Sequence, residues 1–209
     1  MFITFEGTEG SGKTTQIALL ADFLREQGFS VLTTREPGGT LISEQVRSIL
    51  HDVHNEAMTA EAEILLYSAA RAQLVGQVIR PALARGEVVL CDRYADSTLA
   101  YQGHGRGLNL DDLQRITRFA TSGLQPTLTL YFALDIHQGL ARREKGNLEM
   151  NRMDLQTRAF YERVQAGYEA LIAADPARWV VIDAAQGVDL VHTAVCQTIL
   201  PQLNPPNHH

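Results

Sequence analysis

Residues 7–14 read Gly7-Thr8-Glu9-Gly10-Ser11-Gly12-Lys13-Thr14, a complete G-x-x-x-x-G-K-[ST] loop. The residues before it, Met1-Phe2-Ile3-Thr4-Phe5, are short, aromatic and β-branched, which predicts a buried strand. Downstream, Ile17, Leu20, Ala21 and Leu24 recur at helical spacing until Gly28 stops the pattern. Strand, loop and helix in that order are what separates a phosphate site from a chance glycine-rich turn. The glycines let consecutive backbone N–H groups curl around phosphate oxygens with no Cβ in the way. The helix start adds partial positive charge, Lys13 is placed for the β/γ-phosphates, and the Thr14 hydroxyl can ligate Mg²⁺. Thr15 lies in the same first turn. The stretch implies a nucleotide-phosphate site.

Further strand-like runs follow at Val31–Thr34, Val88–Cys91, Leu128–Leu134 and Trp179–Asp183. They are mostly continuous apolar runs, the pattern of parallel strands covered on both faces. Helical patterns lie between them at 14–27, 43–51, 60–84, 111–121 and 155–173. Alternation of this kind predicts an α/β fold, a doubly wound five-stranded parallel sheet with helices on both faces. A single domain over 1–204 is expected, with 205–209 as a disordered tail or tag remnant. In such sheets ligands gather at the carboxyl ends of the strands.

A net charge of −6 argues against general attraction to nucleic acid or to an anionic membrane, so any basic site must be local. No apolar run reaches the length of a membrane span, and the apolar opening meets Glu6 too soon for a secretory leader. Two cysteines, Cys91 and Cys196, lack metal-ligand spacing. A reducing, cytoplasmic compartment is the simplest expectation.

Each strand end carries chemistry. After the second comes Arg35-Glu36-Pro37-Gly38-Gly39-Thr40, either a polar turn or a wall of the cleft. After the third comes Asp92-Arg93-Tyr94. Asp92 suits the second Mg²⁺ anchor of a P-loop protein and Arg93 a bidentate phosphate contact. The plainer reading is a surface ion pair. Tyr67 and Arg71, at i and i+4, share a helix face. They could stack on a base and grip a polar group, or be a core tyrosine and a solvated arginine. The stretch Ser97-Thr98-Leu99-Ala100-Tyr101-Gln102 could line the same cleft. Arg142, Arg143, Lys145 and Arg152 cluster in a segment of weak intrinsic order. This predicts a closing lid over about 142–152, or a solvated charge run.

Together these motifs resemble the thymidylate kinase family of P-loop nucleoside monophosphate kinases, over nearly the whole chain. The Arg-Glu-Pro-Gly-Gly and Asp-Arg-Tyr…Ser…Tyr-Gln-Gly combination is far more specific than the P-loop alone. The resemblance implies transfer of the γ-phosphoryl of ATP to dTMP with Mg²⁺, in a homodimer, with no nucleic-acid or membrane partner. It implies that Gly7 to Thr15 hold the ATP phosphates, that Glu9 approaches the sugar 3′-hydroxyl, and that Thr14 and Asp92 hold the metal. Tyr67, a tyrosine where many relatives have phenylalanine, would stack on thymine. Arg71 would bind the base and Arg93 the acceptor phosphate. Ser97 and Thr98 would border the base edge. Tyr101 would exclude a 2′-hydroxyl, with Gln102 on the same wall. Glu36 and Pro37 would border the junction of the two substrates, with a cis bond before Pro37.

Some relatives carry a basic residue within the P-loop, where this chain has Thr8, Glu9, Gly10 and Ser11. A lid arginine must then supply the transition-state charge, Arg142 first and Arg143 second. Asn151 stands where relatives often have Asp. A kinase of another monophosphate is the nearest alternative. A GTPase-like switch is disfavoured, because no Asn-Lys-x-Asp or Asp-x-x-Gly motif occurs at the required places.

Overall fold

The computed structural model describes residues 1–145 and 152–203, the side chains at 143–145 excepted. Five parallel strands are ordered β2-β3-β1-β4-β5. They are β1 (Phe2–Glu6), β2 (Val31–Arg35), β3 (Val88–Asp92), β4 (Leu128–Ala133) and β5 (Trp179–Asp183). β1 is central and wholly buried, pairing with β3 on one side and β4 on the other. The chain crosses from one half of the sheet to the other at that strand, so the loop after it opens at the switch point.

Strand parity divides the core. Ile3 and Phe5 point with Leu90, Leu130 and Phe132 toward α1 (Lys13–Glu26) and α9 (Val188–Ile199). Phe2 points the opposite way, into a cluster with Leu74, Ile79 and Val89. On that second face Tyr131 packs with Phe160, Tyr161, Val164 and Tyr168 of α8 (Arg158–Ala174). Helices therefore cover both faces, as the unbroken apolar runs predict.

Several boundaries differ from the sequence pattern. α2 (Leu41–His51) begins two residues early, because the Thr40 hydroxyl accepts from Ser43 N at 3.0 Å and caps it. The single helix expected over 60–84 is α3 (Ala60–Leu74), a π-type turn at Val75–Ile79, and α4 (Arg80–Ala84). The polar stretch after β3 is α5 (Ala95–Thr98) running into a second π-type turn, Leu99–Gly105. α6 (Leu110–Thr121) follows, capped by Asn109. The stretch interrupted by glycines at 103–107 is a packing surface. A Cβ at Gly105 would lie 2.6 Å from the Phe160 ring, and one at Gly167 would lie 2.8 Å from His104.

The stretch expected as a lid begins inside a helix. Its first residues belong to a helix that periodicity did not reveal, α7 (Ile136–Lys145), which carries Arg142, Arg143 and Lys145. Charge on α7 obscures its apolar face. Residues 146–151, including Asn147 and Asn151, and the tail at 205–209 lie outside the described residues.

Candidate active site

The loop after β1 is built on three left-handed glycines, Gly7 (φ 141°), Gly10 (φ 71°) and Gly12 (φ 86°). Gly12 is the residue before α1, so the helix start faces the loop. Lys13 is buried, and its ammonium donates to Gly7 O (3.0 Å), Thr8 O (2.9 Å) and Ser11 Oγ (3.1 Å). Burial, reinforced by the Arg93 charge, lowers its pKa to about 8. The Thr14 hydroxyl donates to Asp92 Oδ2 at 2.7 Å. A hydroxyl and a carboxylate at the loop mouth are hard oxygen donors that suit Mg²⁺. Thr15 is exposed on the first turn of α1.

From this loop a cleft of about 750 Å³ runs across the sheet edge. It is lined by Glu9, Gly10, Lys13, Thr14, Asp92 and Arg93, and farther along by Glu36, Pro37, Tyr67, Arg71, Ser97, Thr98, Tyr101 and Gln102. Every substrate-side residue singled out in the sequence thus lies on one surface. Among the expected loop residues, Gly7, Thr8, Ser11, Gly12 and Thr15 do not line it.

Arg93 is not paired with Asp92. It occupies a left-handed backbone conformation (φ 65°), rare for a side chain of this size. Its Nη2 donates to Glu9 Oε1 at 2.8 Å, and the Tyr101 hydroxyl donates to both Glu9 oxygens at 3.0 and 2.8 Å. The guanidinium lies over the Tyr101 ring, 4.8 Å from its centre. Burial works against its charge, but Tyr101, Glu9, Tyr168 and Glu6 outweigh this and raise its pKa.

Arg71 is neither solvated nor free to swing. It is 2% exposed and donates to Glu36 Oε2 (2.7 Å), Thr98 Oγ1 (3.0 Å) and the Tyr94 carbonyl (3.1 Å). The Glu36–Pro37 bond is cis. Arg142 donates to Ala184 O at 3.0 Å, at the end of β5, while the Arg143 side chain lies outside what is described. The helix α7 also touches the loop itself. A Cβ on Gly10 would meet Gly139 O of α7 at 2.1 Å, and one on Gly139 would meet Glu9 O at 2.6 Å.

Lining residues that gave no usable sequence signal include Arg47 and His51, while Met153 and Asp154, next to Arg152 in the expected lid stretch, also line the cleft. Arg47 Nη1 donates to Pro37 O at 2.8 Å. His51 is held neutral, its pKa lowered to about 4 by burial and by the nearby Arg47. Arg152 corrects the lid reading. Its guanidinium is buried against Glu63 Oε2, and its Nε donates to Leu50 O at 3.1 Å. Glu63, one turn before Tyr67, also accepts from Gln102 Nε2 (2.8 Å) and Arg106 Nη2 (3.1 Å). A carboxylate facing two guanidiniums is the low-energy partner for Arg152 here, so this cation is tied to α3 and to the end of α2. Periodicity carries no trace of such a long-range pairing.

A P-loop with its helix, a metal-suited Thr–Asp pair and a second pocket ringed by arginines and aromatics define the nucleotide kinases that pass a phosphoryl group between two bound nucleotides. A family model described as thymidylate kinase matches residues 5–195. A thymidylate kinase of Roseiflexus sp. (strain RS-1) is 49% identical over 97% of this chain and 95% of its own length. One of Thermomicrobium roseum is 52% identical over 95% and 93%. The crystal structure of thymidylate kinase from Ehrlichia chaffeensis is similar with a TM-score of 0.79 at 32% identity, covering 95% of this chain and 98% of that one. The chain belongs to the thymidylate kinase family and is a nucleoside monophosphate kinase.

The Glu63 cluster carries a stability prediction. Glu63→Leu removes the carboxylate that both Arg106 and Arg152 meet, at a cost of about 3–5 kcal/mol. Urea unfolding should register that loss as a lower midpoint. A midpoint equal to that of the parent protein would show that water already neutralises the pair.

Proposed function

We propose that this chain transfers the γ-phosphoryl of ATP to dTMP, giving dTDP and ADP, with its two substrates divided along the cleft. The observation that carries this reading is the Glu9–Arg93 pair, which joins the donor loop to the acceptor pocket. Lys13 exchanges its loop carbonyls for the β/γ-phosphate oxygens, and the backbone N–H groups of the loop hold the rest. Thr14 and Asp92 would hold Mg²⁺, which would supply charge neutralisation for the transferred phosphoryl group. Arg93 holds the acceptor phosphate, Tyr67 faces the base, and Glu9 with Tyr101 borders the sugar. An acceptor phosphate oxygen forms the new bond to the γ-phosphorus as its bond to the β-phosphate oxygen breaks, with no enzyme-bound intermediate.

Coupled detection of ADP release tests the reading. Turnover is expected with dTMP, and weaker turnover with dUMP, since one methyl is worth only about 1–3 kcal/mol in an apolar pocket. No ADP release with dTMP, alongside turnover of another monophosphate, would replace the acceptor.

The transition-state cation comes from α7, Arg142 first. It stands one turn beyond Gly139, which touches the loop. Arg142→Ala is expected to lower kcat by about 100-fold or more while KM for dTMP moves little. A rise in KM for ATP alone would move Arg142 to the donor base, because Ala184 lies in the stretch that follows β5.

The resemblance also supports a homodimer. α3 packs against α2 and α6, and these helices leave Ile42, Ile49, Leu65 and Phe119 exposed, Phe119 by 87%. A second copy would cover an apolar stripe on α3 formed by Leu65 with Ala62, Ala69 and Ala72. Light scattering should give twice the chain mass for the parent and the chain mass for Leu65→Glu. A monomeric parent at micromolar concentration would remove the proposal.

A further inference from the structure

Glu6 ends β1, immediately before the P-loop, and is 0% exposed. Strand parity turns it away from α1, toward the face where Tyr131 and Tyr168 pack. Among the described residues it forms no direct ion pair. An unpaired buried carboxylate is costly: burial, with the Asp96 charge, pushes the Glu6 pKa up to about 7, while Arg93 and the surrounding hydrogen-bond donors favour its ionised form. Oε1 accepts from the backbone N–H of Tyr94 at 2.8 Å. Oε2 accepts from Ser97 Oγ at 2.5 Å and from the Tyr168 hydroxyl at 2.8 Å.

Both hydroxyls also meet Arg93. Its Nη1 donates to Ser97 Oγ at 3.3 Å and to the Tyr168 hydroxyl at 3.4 Å. Each hydroxyl has a single hydrogen and the two oxygens lie 3.1 Å apart; with both hydrogens turned to Glu6, their lone pairs are left facing the guanidinium. The carboxylate thereby sets the polarity of the bridge. Tyr94, the residue that follows Arg93, has its N–H fixed by the other oxygen, directly after the left-handed turn at Arg93.

We propose that Glu6 is a positioning residue for Arg93, fixing its strained backbone through the Tyr94 amide and its guanidinium through the Ser97 and Tyr168 hydroxyls, so that the cation is aimed before the acceptor phosphate arrives. The proposal rests on the reading of Arg93 as the acceptor-phosphate ligand. Glu9, itself held by the Tyr101 hydroxyl, accepts from Nη2 at the opposite edge of the same guanidinium. Arg93 is thus clamped from both sides, and only the Glu9 side belongs to the P-loop.

An amide cannot replace the carboxylate. If the oxygen of Gln at position 6 faced the hydroxyls, its NH₂ would meet the Tyr94 N–H. If it were reversed, the hydroxyls would turn their hydrogens toward Arg93. Glu6→Gln keeps size and removes the acceptor character of one oxygen.

The experiment compares dTMP with thymidine, which lacks the phosphate, as ligands in calorimetric titration of the whole enzyme. Glu6→Gln should weaken dTMP about 10-fold, the scale of a lost hydrogen bond in a charged network, and leave thymidine within about twofold. Tyr168→Phe keeps the ring and loses one of the two bridges, so about a 3-fold selective loss for dTMP is expected. Equal weakening of both ligands, or no change in either, overturns the proposal. Where Glu6→Gln does not fold, those two results in Tyr168→Phe decide it. Arg93→Ala separates this from the reading beneath it. If Arg93→Ala weakens thymidine as much as dTMP, Arg93 does not hold the phosphate, and that reading fails whatever Glu6 does.

Discussion

The ion pair between Glu9 and Arg93, 2.8 Å long, joins two strand ends that adjoin across the sheet. Glu9 rides on the loop after β1 and Arg93 on the turn after β3, and in the β1–β3 register Phe5 lies opposite Asp92. A parallel sheet brings such loops together, and the pair ties the P-loop to the turn after β3. It is partly buried, with side-chain exposures of 19% and 16%, where attraction is less screened than at the surface. Tyr101 donates to the same carboxylate and underlies the same guanidinium. Much of the cleft's geometry follows from this one contact: Tyr101, the P-loop and Arg93 share a single carboxylate.

The fold was legible because its strands are buried on both faces and therefore write themselves as unbroken apolar runs, as Phe2–Glu6 and Leu128–Ala133 do. Edge strands were equally visible, although β2 is half exposed, because Val31 and Leu32 remain β-branched or apolar. Within the site, residues tied to a strand end were readable from local sequence: Lys13, Thr14, Asp92 and Arg93 each follow a strand closely. Tyr67 and Arg71 were readable as a helix face, but not as what they became. The full burial of Arg71 depends on Glu36, thirty-five positions away, and on Thr98.

What the sequence hid is long-range polar pairing. Arg152 looks like any other member of a basic run, yet Glu63 lies eighty-nine positions earlier and decides its place. Glu6 reads as the last letter of a strand, and nothing local tells that Tyr168 will reach it from the other end of the chain. α7 was obscured for a different reason. Its charged residues mask a helix whose value lies in Gly139, a residue that ordinarily argues against a helix interior.

The meeting of Gly10 with Gly139 is backbone against backbone. Ordinary packing contacts are lined by side chains, which yield by changing rotamer when one partner shifts. Here a side chain at either position would force the two backbones apart, so the absence of a Cβ at both Gly10 and Gly139 is what sets how near α7 lies to the P-loop.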